Sequence, residues 1–435
     1  MFRKLSLTLS LLLATSVMAE SDHWAVLVAG SNGYWNYRHQ ADVFHAYHSI
    51  VAKGVPKENI IVFAYDDIAE ASNNPFKGKV FNHPDGEDVY AGVTIDYRGR
   101  DVTPENFLSV ITGDASAVSG VGSGKVLKST SNSKVFINFS DHGAPGLIAF
   151  PHSYLYADKF MDAITKMHTS NMYERLVIYI EACESGSMFE GKLPSDINVY
   201  ATTAANAHES SWGYYCSPQD VVKGIHLRTC LGDLYSIAWM EDTDAAPACS
   251  KTLAAQYKDV KERTSKSEVC EFGTTSFKDK DYIDRYQGNC ADNSAFESRF
   301  LHQQESAAEK REKYAASAVN SRDAKLHHLY ANVMHEPSNK AHLDLIEELN
   351  QRMKADNFFE AFGKDQASAV NGEEFPLPTK FECLRALMET YEEHCGKFTD
   401  YSLKYVKYLV KECESMPEIF SMEPAYAKIR AGCPK

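Results

Sequence analysis

Short apolar runs rich in β-branched and aromatic residues recur through the first 290 residues, with helical patterns between them. The runs cover residues 24–29, 60–64, 135–139, 176–180 and 199–203. Continuous apolar strands that alternate with helices are typical of a parallel sheet covered on both faces. Thr103 before Pro104 is a typical helix start, with an N-cap hydroxyl and a proline in the first turn. Residues 20–290 are therefore predicted to form one α/β domain.

The composition changes after residue 290. From 291 to about 335 the chain is rich in Ala, Glu, Lys, Gln and Ser, which is typical of a solvated linker or a weakly packed helix. Helical periodicity then returns in three sets: Leu345 or Ile346, Leu349 and Met353; Leu384, Leu387 or Met388, and Tyr391; and Leu403, Val406, Leu409 or Val410, and Cys413. We assign residues 291–340 to a linker and 341–435 to a small all-helical domain. Thr379 and Glu382 predict a capping box at the start of its second helix.

The N-terminus, residues 1–19, has the pattern of a secretory signal. Arg3 and Lys4 precede an apolar stretch over residues 5–14 and a small-residue cleavage site at 17–19. The apolar stretch is far shorter than the roughly 20 residues that span a membrane, and no later segment comes close. We expect the mature chain to start near Glu20 and to have no membrane span. Its ten cysteines then lie in an oxidising compartment that permits disulfides.

Charge and motif spacing exclude several function classes. The chain of 435 residues has 45 Lys and Arg against 59 Asp and Glu, a formal net charge of −14, so we predict no nucleic-acid partner. The histidines and cysteines show no His-Glu-x-x-His or Cys-x-x-Cys spacing. The glycine-rich run at 120–125 lacks the full phosphate-loop pattern. We therefore predict no metal and no cofactor.

Polar clusters follow two of the predicted strands. Ser140-Asp141-His142-Gly143 comes directly after one strand, and Glu181-Ala182-Cys183-Glu184-Ser185-Gly186 comes after the next. Ligands of an open parallel sheet bind at the carboxyl ends of its strands, where both clusters fall. A histidine and a cysteine on adjacent strand ends can meet there.

That pair suits nucleophilic catalysis. A thiolate attacks a carbonyl well, and an imidazole can activate the thiol and then protonate the leaving amine. Gly143 allows a backbone N–H to approach the substrate oxygen, and the Cys183 N–H is a second oxyanion donor. The alternatives are a disulfide-bonded cysteine and a core histidine. The sequence Ala182-Cys183, with Gly186 shortly after it, is close to the caspase-type signature, and Cys183 lies 41 residues after His142. This pattern favours the catalytic interpretation.

Longer motifs resemble a known family. They are AGSNGYWNYRHQAD at 29–42, DHG at 141–143, YIEACESGSM at 179–188, YATTAAN at 200–206 and LGDLYS at 231–236. They are similar to the legumains, the asparaginyl endopeptidases that are called vacuolar processing enzymes in plants. The resemblance covers essentially the whole chain after the signal, including the cysteine-bearing tail.

The resemblance implies a caspase-like fold, a mostly parallel sheet flanked by helices, followed by a helical prodomain. His142 and Cys183 match the catalytic dyad, and Asn36 matches the asparagine that assists the histidine. Asp141 matches an aspartate that can cyclise to a succinimide and has been linked to ligation. The positions that match the pocket for the residue before the cut are Arg38, His39, Glu181, Ser211 and Asp233.

The composition of that pocket makes chemical sense by itself. An asparagine side chain has one acceptor oxygen and an NH2 donor, so a selective pocket needs a cationic donor and an anionic acceptor. Arg38 can face the oxygen, and Glu181 with Asp233 can face the amide hydrogens. The alternative, a plain salt-bridge cluster, is disfavoured because Glu181 lies two residues from the nucleophile.

The cysteines divide into three groups. Cys216 and Cys230 flank an insertion that resembles the plant-type enzymes, and we expect a disulfide between them. The family pattern implies Cys383 with Cys413 and Cys395 with Cys433 in the tail. Cys249, Cys270 and Cys290 remain, and we pair Cys270 with Cys290 as residues that flank one strand hairpin.

These observations predict a cysteine endopeptidase zymogen that cuts after Asn, and after Asp in acid, in a lysosome-like or vacuole-like compartment or outside the cell. Its partners are protein and peptide substrates, its own prodomain as inhibitor, and cystatin-type inhibitors. A peptide ligase that uses the same dyad and a catalytically dead binding protein are the alternatives. The candidate self-cleavage sites are Asn320, Asn332, Asn339 and, in acid, Asp22.

Overall fold

The computed structural model describes residues 22–290, 317–363, 375–417 and 422–433. The predicted signal at 1–19 and most of the predicted linker lie outside these ranges. Within them, no helix is long and apolar enough to cross a membrane.

The strands and helices alternate through the first 290 residues, as the apolar pattern predicts. The strands are β1 (His23–Ala29), β2 (Ile60–Ala64), β3 (Tyr97–Arg98), β4 (Lys134–Ser140), β5 (Gly143–Ala144), β6 (Leu147–Phe150), β7 (Ser153–Tyr156), β8 (Arg175–Glu181), β9 (Val199–Thr203), β10 (Trp212–Tyr214), β11 (Val221–Val222), β12 (Ile225–His226), β13 (Gly232–Asp233), β14 (Cys270–Gly273) and β15 (Val319–Asn320). The helices are α1 (Tyr37–Ala52), α2 (Pro104–Ile111), α3 (Ala157–Thr169), α4 (Leu234–Ala245), α5 (Leu253–Arg263), α6 (Asp284–Gln287), α7 (Ala324–His335), α8 (Asn339–Gly363), α9 (Phe381–Cys395), α10 (Val406–Ser415) and α11 (Glu423–Gly432). All five predicted strands are present.

The main sheet has the strand order β14-β9-β8-β4-β1-β2-β3. Its pairs are parallel except the edge pair of β14 with β9. Helices α1, α4, α5 and α6 share one apolar core with one face, and α2 and α3 share a second core with the other. Burial on both faces explains why these strands are continuously apolar rather than alternating.

The C-terminal helices form a third core. It contains Phe358 and Phe359 of α8, Leu387 of α9, Leu409 of α10 and Ile429 of α11. This confirms the second and third helical sets of the sequence pattern. The first set lies in α8, but its residues Ile346, Leu349 and Met353 are 53%, 43% and 54% exposed and join no core.

The predicted capping box at Thr379 and Glu382 is wrong. Thr379 does not cap α9: its hydroxyl and backbone N–H donate to Glu414 across the helical domain, and the residue before the helix, Lys380, makes no side-chain cap. Thr103, in contrast, caps α2 by accepting from the backbone N–H of Asn106. A capping motif specifies a helix start only when no tertiary partner competes for its hydroxyl.

The disulfides join Cys216 to Cys230, Cys249 to Cys290, Cys383 to Cys413 and Cys395 to Cys433. The Cys270–Cys290 pair of the sequence analysis is therefore wrong, and Cys270 carries a free thiol. Cys270 begins β14, which is held against β9 at the sheet edge. Cys249 instead lies near α6, because its backbone N–H donates to Asp284, and this brings it to Cys290.

Candidate active site

Two neighbouring strand ends bring the predicted dyad residues together. Strands β4 and β8 pair in parallel with Ser140 opposite Glu181, and the Asp141 N–H donates to the Glu181 carbonyl at 3.0 Å. His142 and Cys183 follow directly. A Cβ atom on Gly143 would lie 2.2 Å from the Cys183 carbonyl oxygen, so only glycine permits this approach of the two strand ends.

One nitrogen of His142 is held and the other has no partner among the described residues. Nε2 lies 2.9 Å from Asn36 Oδ1. The Asn36 amide donates from Nδ2 to the Asn32 carbonyl, so its Oδ1 is the acceptor and Nε2 carries the proton. The buried Nδ1 makes no hydrogen bond. This tautomer leaves Nδ1 with a lone pair, as a general base requires.

Cys183 is a free, fully buried thiol. Its Sγ accepts from the Ser211 backbone N–H at 3.3 Å and lies 3.6 Å from the Ser211 hydroxyl. Burial raises the pKa of the thiol, and the charge of Arg322 opposes that effect. Glu184, the next residue, has a φ of 48°, a left-handed conformation that is uncommon outside glycine and typical of functional sites.

The predicted specificity pocket, called the pocket below, consists of five residues that are all buried: Arg38, His39, Glu181, Ser211 and Asp233. Arg38 Nε donates to Asp233 Oδ1 at 2.8 Å, and Glu181 Oε2 accepts from the backbone and hydroxyl of Ser236. Arg38 also donates to Asn36 Oδ1 at 3.3 Å. The pocket and the dyad therefore share hydrogen bonds.

Several buried polar atoms of the pocket make no hydrogen bond to any described residue. They are Arg38 Nη2, Glu181 Oε1 and Asp233 Oδ2, together with Asp141 Oδ1 beside the pocket. The two aspartate oxygens lie 3.7 Å and 3.4 Å from ring nitrogens of His39. Burial raises the pKa values of Glu181, Asp233 and Asp141 and lowers the pKa of His39. Unpaired buried donors and acceptors are rare in folded proteins and mark a place where a polar ligand completes the set.

Within the described ranges, His39, Asp141 and His142 bring three possible metal-ligand atoms to within 4.8 Å of one another. His39 Nδ1 is hydrogen-bonded to the Ser31 hydroxyl at 2.7 Å, and His142 is held by Asn36. His39 belongs to the pocket, His142 is the predicted dyad histidine, and Asp141 lies beside both, so the spacing of the three atoms follows from that arrangement.

A segment near the C-terminal region, residues 317–335, enters the cleft; we call it the inhibitory segment. Its strand β15 pairs antiparallel with β10, and the Ser321 N–H donates to the Ser211 carbonyl at 3.0 Å. Arg322 is buried, and its Nη2 donates to Glu184 at 2.7 Å and to the Gly143 carbonyl at 2.5 Å. The segment thus covers the thiol.

The helical cap, residues 339–363, 375–417 and 422–433, covers the histidine. Asp400 Oδ2 lies 3.4 Å from His142 Nε2 and accepts from Trp35 Nε1 at 3.0 Å. Burial alone would raise the pKa of Asp400, but His142 and Trp35 hold it well below its usual range. Arg322 and Asp400 were missed by the sequence analysis, because nothing in their local sequence marks them. Ser236, three residues after Asp233, was missed as well.

A thiol and an imidazole on neighbouring strand ends of this sheet, covered by a C-terminal helical region, define a class: cysteine peptidases of caspase-like fold that are made as zymogens. A model of the Peptidase C13 family matches residues 23–289, and a model of the legumain prodomain matches residues 338–429. The chain belongs to the peptidase C13 family, the legumains, and is a cysteine endopeptidase of that type.

Curated relatives match almost the whole chain. A vacuolar-processing enzyme of Vicia sativa is 41% identical over 434 residues, covering 95% of this chain and 87% of that protein. A legumain of Canavalia ensiformis is 41% identical, covering 92% and 87%. Among solved structures, caspase-1 from Spodoptera frugiperda matches with a TM-score of 0.36 and 9% identity, covering 59% of this chain and 88% of that chain.

Proposed function

We propose that the chain is the precursor of an endopeptidase that cuts after asparagine, with Cys183 as nucleophile and His142 as general base. The supporting observation is that three buried atoms of the pocket, Arg38 Nη2, Glu181 Oε1 and Asp233 Oδ2, make no hydrogen bond to any residue that the structure describes. They offer one donor and two acceptors, the complement of an asparagine carboxamide. A side chain without these groups would leave buried atoms unpaired, at about 1–3 kcal/mol each.

The reaction follows from the two strand ends. His142 Nδ1 takes the thiol proton while Asn36 Oδ1 holds Nε2–H and stabilises the imidazolium. The thiolate attacks the carbonyl carbon, and the backbone N–H groups of Gly143 and Cys183 stabilise the oxyanion, a contribution of about 10²–10³ in rate per donor. The intermediate collapses as His142 returns the proton to the leaving amine, which leaves a thioester on Cys183.

Either water or a second amine can resolve that thioester. Hydrolysis gives two peptides, and attack by an amine gives a ligated peptide, with the same dyad in both cases. We assign hydrolysis as the main reaction and ligation as the second outcome. Succinimide formation at Asp141 is proposed to accompany ligation. Mass analysis of products from a peptide with an internal asparagine, with and without an added acceptor amine, separates the two.

The pocket assignment is tested with activated enzyme and peptides that differ only at the residue before the cut. We expect the Asn peptide to be cut across the active pH range and the Asp peptide only in acid. An ionised Asp would face Glu181 and Asp233, whereas below about pH 4 it becomes a neutral near-isostere of Asn. Equal cleavage after Asn and Asp at neutral pH, or cleavage without preference, contradicts the assignment.

We further propose that the inhibitory segment is bound like a substrate but in a register that prevents cleavage. Ser321, not Asn320, donates its N–H to Ser211 and places its hydroxyl 3.1 Å from the Ser211 hydroxyl beside Cys183. Asn320 instead bonds its side chain to the Arg322 N–H. Successive strand residues face opposite sides, so the asparagine side chain points away from the pocket that would accept it.

The other candidate sites differ in access. Asn332 lies in the middle of α7, with its Nδ2 3.0 Å from a His328 ring nitrogen. Asp22 accepts from Trp24 and Asn59 at the start of β1. Asn339 is exposed, in the first turn of α8 after the exposed connection from α7. We propose that the first self-cleavage occurs after Asn339, between molecules.

The relatives' names refer to vacuolar processing. We propose that this chain likewise works in an acidic compartment of the secretory pathway. Protein and peptide substrates, the chain's own C-terminal region and cystatin-type inhibitors are its proposed partners, and each would have to enter the same cleft.

A further inference from the structure

A second layer of polar residues stands behind the specificity pocket. Asp42 lies on α1, one helical turn after Arg38, and is 1% exposed. Its Oδ2 accepts from the Asp233 backbone N–H at 3.1 Å. Asp42 therefore holds the backbone of the residue whose carboxylate holds Arg38.

Asn82, from the loop between β2 and β3, fixes Asp42 in turn. Its Nδ2 donates to Asp42 Oδ1 at 2.8 Å and to the Leu231 carbonyl at 2.9 Å. These bonds orient the amide so that its Oδ1 is an acceptor, and His45 Nδ1 lies 2.7 Å from it. A series of hydrogen bonds thus connects α1, through the loop that carries Asn82, to the backbone of β13.

His45 completes the arrangement as a buried cation. Its other nitrogen, Nε2, lies 2.9 Å from Asp244 Oδ2. Both partners of the ring are acceptors, so both nitrogens donate and the ring is protonated. Burial lowers the pKa of His45, but the charge and hydrogen bonds of Asp244 and Asn82 outweigh it and the net shift is upward.

The packing around this series of hydrogen bonds leaves no room for a side chain at position 232. A Cβ atom on Gly232 would lie 2.8 Å from Asp42 Oδ1 and 2.8 Å from Asn82 Nδ2. The glycine in the Leu231-Gly232-Asp233 motif is therefore required by the approach of β13 to the Asp42–Asn82 pair. This ties the motif to the second layer as well as to the pocket.

Asp42 is also an electrostatic neighbour of the pocket. The titratable groups facing it are Asp233 from β13 and Glu181 from β8, and its other neighbours are Asn82 and, at 3.5 Å, the Ser140 hydroxyl of β4. Burial raises the pKa of Asp42, and the charges of Asp233 and Glu181 raise it further. Three carboxylates thus share a buried space beside one guanidinium.

We propose that Asp42, held by Asn82 and the His45–Asp244 pair, is a positioning residue for the pocket wall whose negative charge makes the pocket reject an ionised aspartate. It acts through Asp233 and Glu181 and touches no substrate atom. This inference rests on the proposed specificity for asparagine. As acidity rises and Asp42 takes up a proton, one of the charges opposing a substrate aspartate disappears.

The test is Asp42→Asn, which has nearly the same shape and removes the charge, and whose single amide oxygen can accept from the Asp233 N–H or from Asn82 but not from both as the carboxylate does. Activated wild-type and variant enzymes are assayed with matched Asn and Asp peptides between pH 4 and 7. We expect the ratio of kcat/KM for Asp to that for Asn to rise at least tenfold at the neutral end of that range, because one charge within about 10 Å at an effective dielectric near 20 contributes more than a tenfold effect. The limb of the Asp-peptide profile moves to higher pH, while the shape of the Asn-peptide profile is unchanged.

The matched control is Asp284→Asn. Asp284 is 2% exposed and is paired with Lys53 far along the chain from the pocket, so its removal affects stability without moving the Asp-to-Asn ratio. A parallel loss of both activities in Asp42→Asn with unchanged pH profiles, or a superimposable Asp-peptide profile, overturns the proposal. Wild-type enzyme that shows no preference for Asn fails the proposed function instead, so the two failures are distinguishable.

If Asp42→Asn does not fold, Asn82→Ala tests the same series of hydrogen bonds by removing the residue that holds Asp42. It removes the donor to Asp42 and the acceptor for His45 but leaves every carboxylate in place. We expect KM for the Asn peptide to rise severalfold with a smaller change in kcat, because the pocket wall loses its support while the dyad is untouched. An unchanged KM overturns the positioning role.

Discussion

The peptidase domain and the helical cap are stabilised in different ways. The domain has two apolar cores on either side of a seven-stranded sheet. The cap has one smaller core of stacked aromatic rings, including Phe359, Tyr391 and Tyr405, and two disulfides. Small domains bury too little apolar surface to be stable without such additions.

The contact between the two regions is different again. Its apolar part comprises Ala144 and Leu147, which join the cap core, and Phe381 of the cap, which joins a core of the peptidase domain. Its polar part includes the pairs Arg385 with Asp158, Tyr154 with Glu392, and His142 with Asp400. Most of each core belongs to one region, and the contact between the regions combines a few apolar residues with ionisable pairs. We therefore expect the cap to be released from the site without unfolding of the sheet.

The largest expected effect separates chemistry from structure within the peptidase domain. Cys183→Ala should abolish peptidase activity and leave the fold intact, and His142→Ala should be nearly as damaging. The matched control is Cys270→Ala, since Cys270 is the other free thiol among the described residues and should be dispensable. Because the dyad variants are not expected to process themselves, each precursor is first cleaved by added parent enzyme, which is then removed before activity is measured, and folding is checked by circular dichroism. Residual turnover within tenfold of the parent would remove these residues from the dyad.

The second prediction concerns the cap core. Phe359 is 1% exposed among aromatic rings, and Phe359→Ala should destabilise the cap by about 3–5 kcal/mol. Ile346→Ala on the same helix, where the side chain is 53% exposed, should change stability by less than about 0.5 kcal/mol. Thermal unfolding of the Cys183→Ala precursor reports both. An equal effect of the two changes would mean that the stacked rings are not the core of the cap.

The third prediction concerns the polar contact between Asp400 of the cap and His142 of the peptidase domain. Asp400→Asn should weaken closure by about 1–3 kcal/mol and give precursor that cleaves substrate at neutral pH. Asp400 has a lowered pKa in the closed form, so its stabilisation is present above the ordinary aspartate pKa of about 3.9 and is lost as the pH falls below it. The buried Glu184 has a raised pKa in the closed form. Its contribution to the stability of that form therefore grows as the pH falls, which is the opposite pH dependence.

In the parent, the fraction of molecules with a released cap should therefore rise steeply below about pH 4. The measurement is the loss of hydrogen-exchange protection around His142. In Asp400→Asn this loss should depend less on pH. If the variant closes and opens with the parent's pH profile, Asp400 does not control closure.

The smallest expected effect tests the register of the inhibitory segment. Ser321→Asn places an asparagine where Ser321 now lies beside Ser211 and should make the precursor cut itself after residue 321 about tenfold faster at acid pH than the parent does at any site. Asn320→Ser, which leaves Ser321 in place, should not change the rate. The products are identified by mass spectrometry, with Cys183→Ala expected to stay whole. No cleavage after residue 321 would contradict the substrate-like register.

The sequence predicted the sheet, and the meeting of His142 and Cys183 at one edge of it, from local evidence. The five apolar runs, and the polar clusters at the ends of two of them, suffice because neighbouring parallel strands carry their carboxyl ends to the same edge. The pairing of Cys249 with Cys290 and the failure of the Thr379 cap were not predictable in this way. Each depends on a partner distant in the chain, whose position is set by packing and not by spacing.

What the amino-acid sequence determined by itself is therefore the alternation of strands and helices, the thiol and imidazole at adjacent strand ends, and the chemistry of the pocket side chains. Those features depend on residue type and on periodicity. Only the tertiary structure decided that Ser321 rather than Asn320 lies beside Ser211, that Asp400 covers His142, and that Asp42 holds Asp233. A one-residue change of register reverses the face of a strand, and a charge acts through whichever groups the fold brings within a few ångströms, so neither can be derived from the order of residues alone.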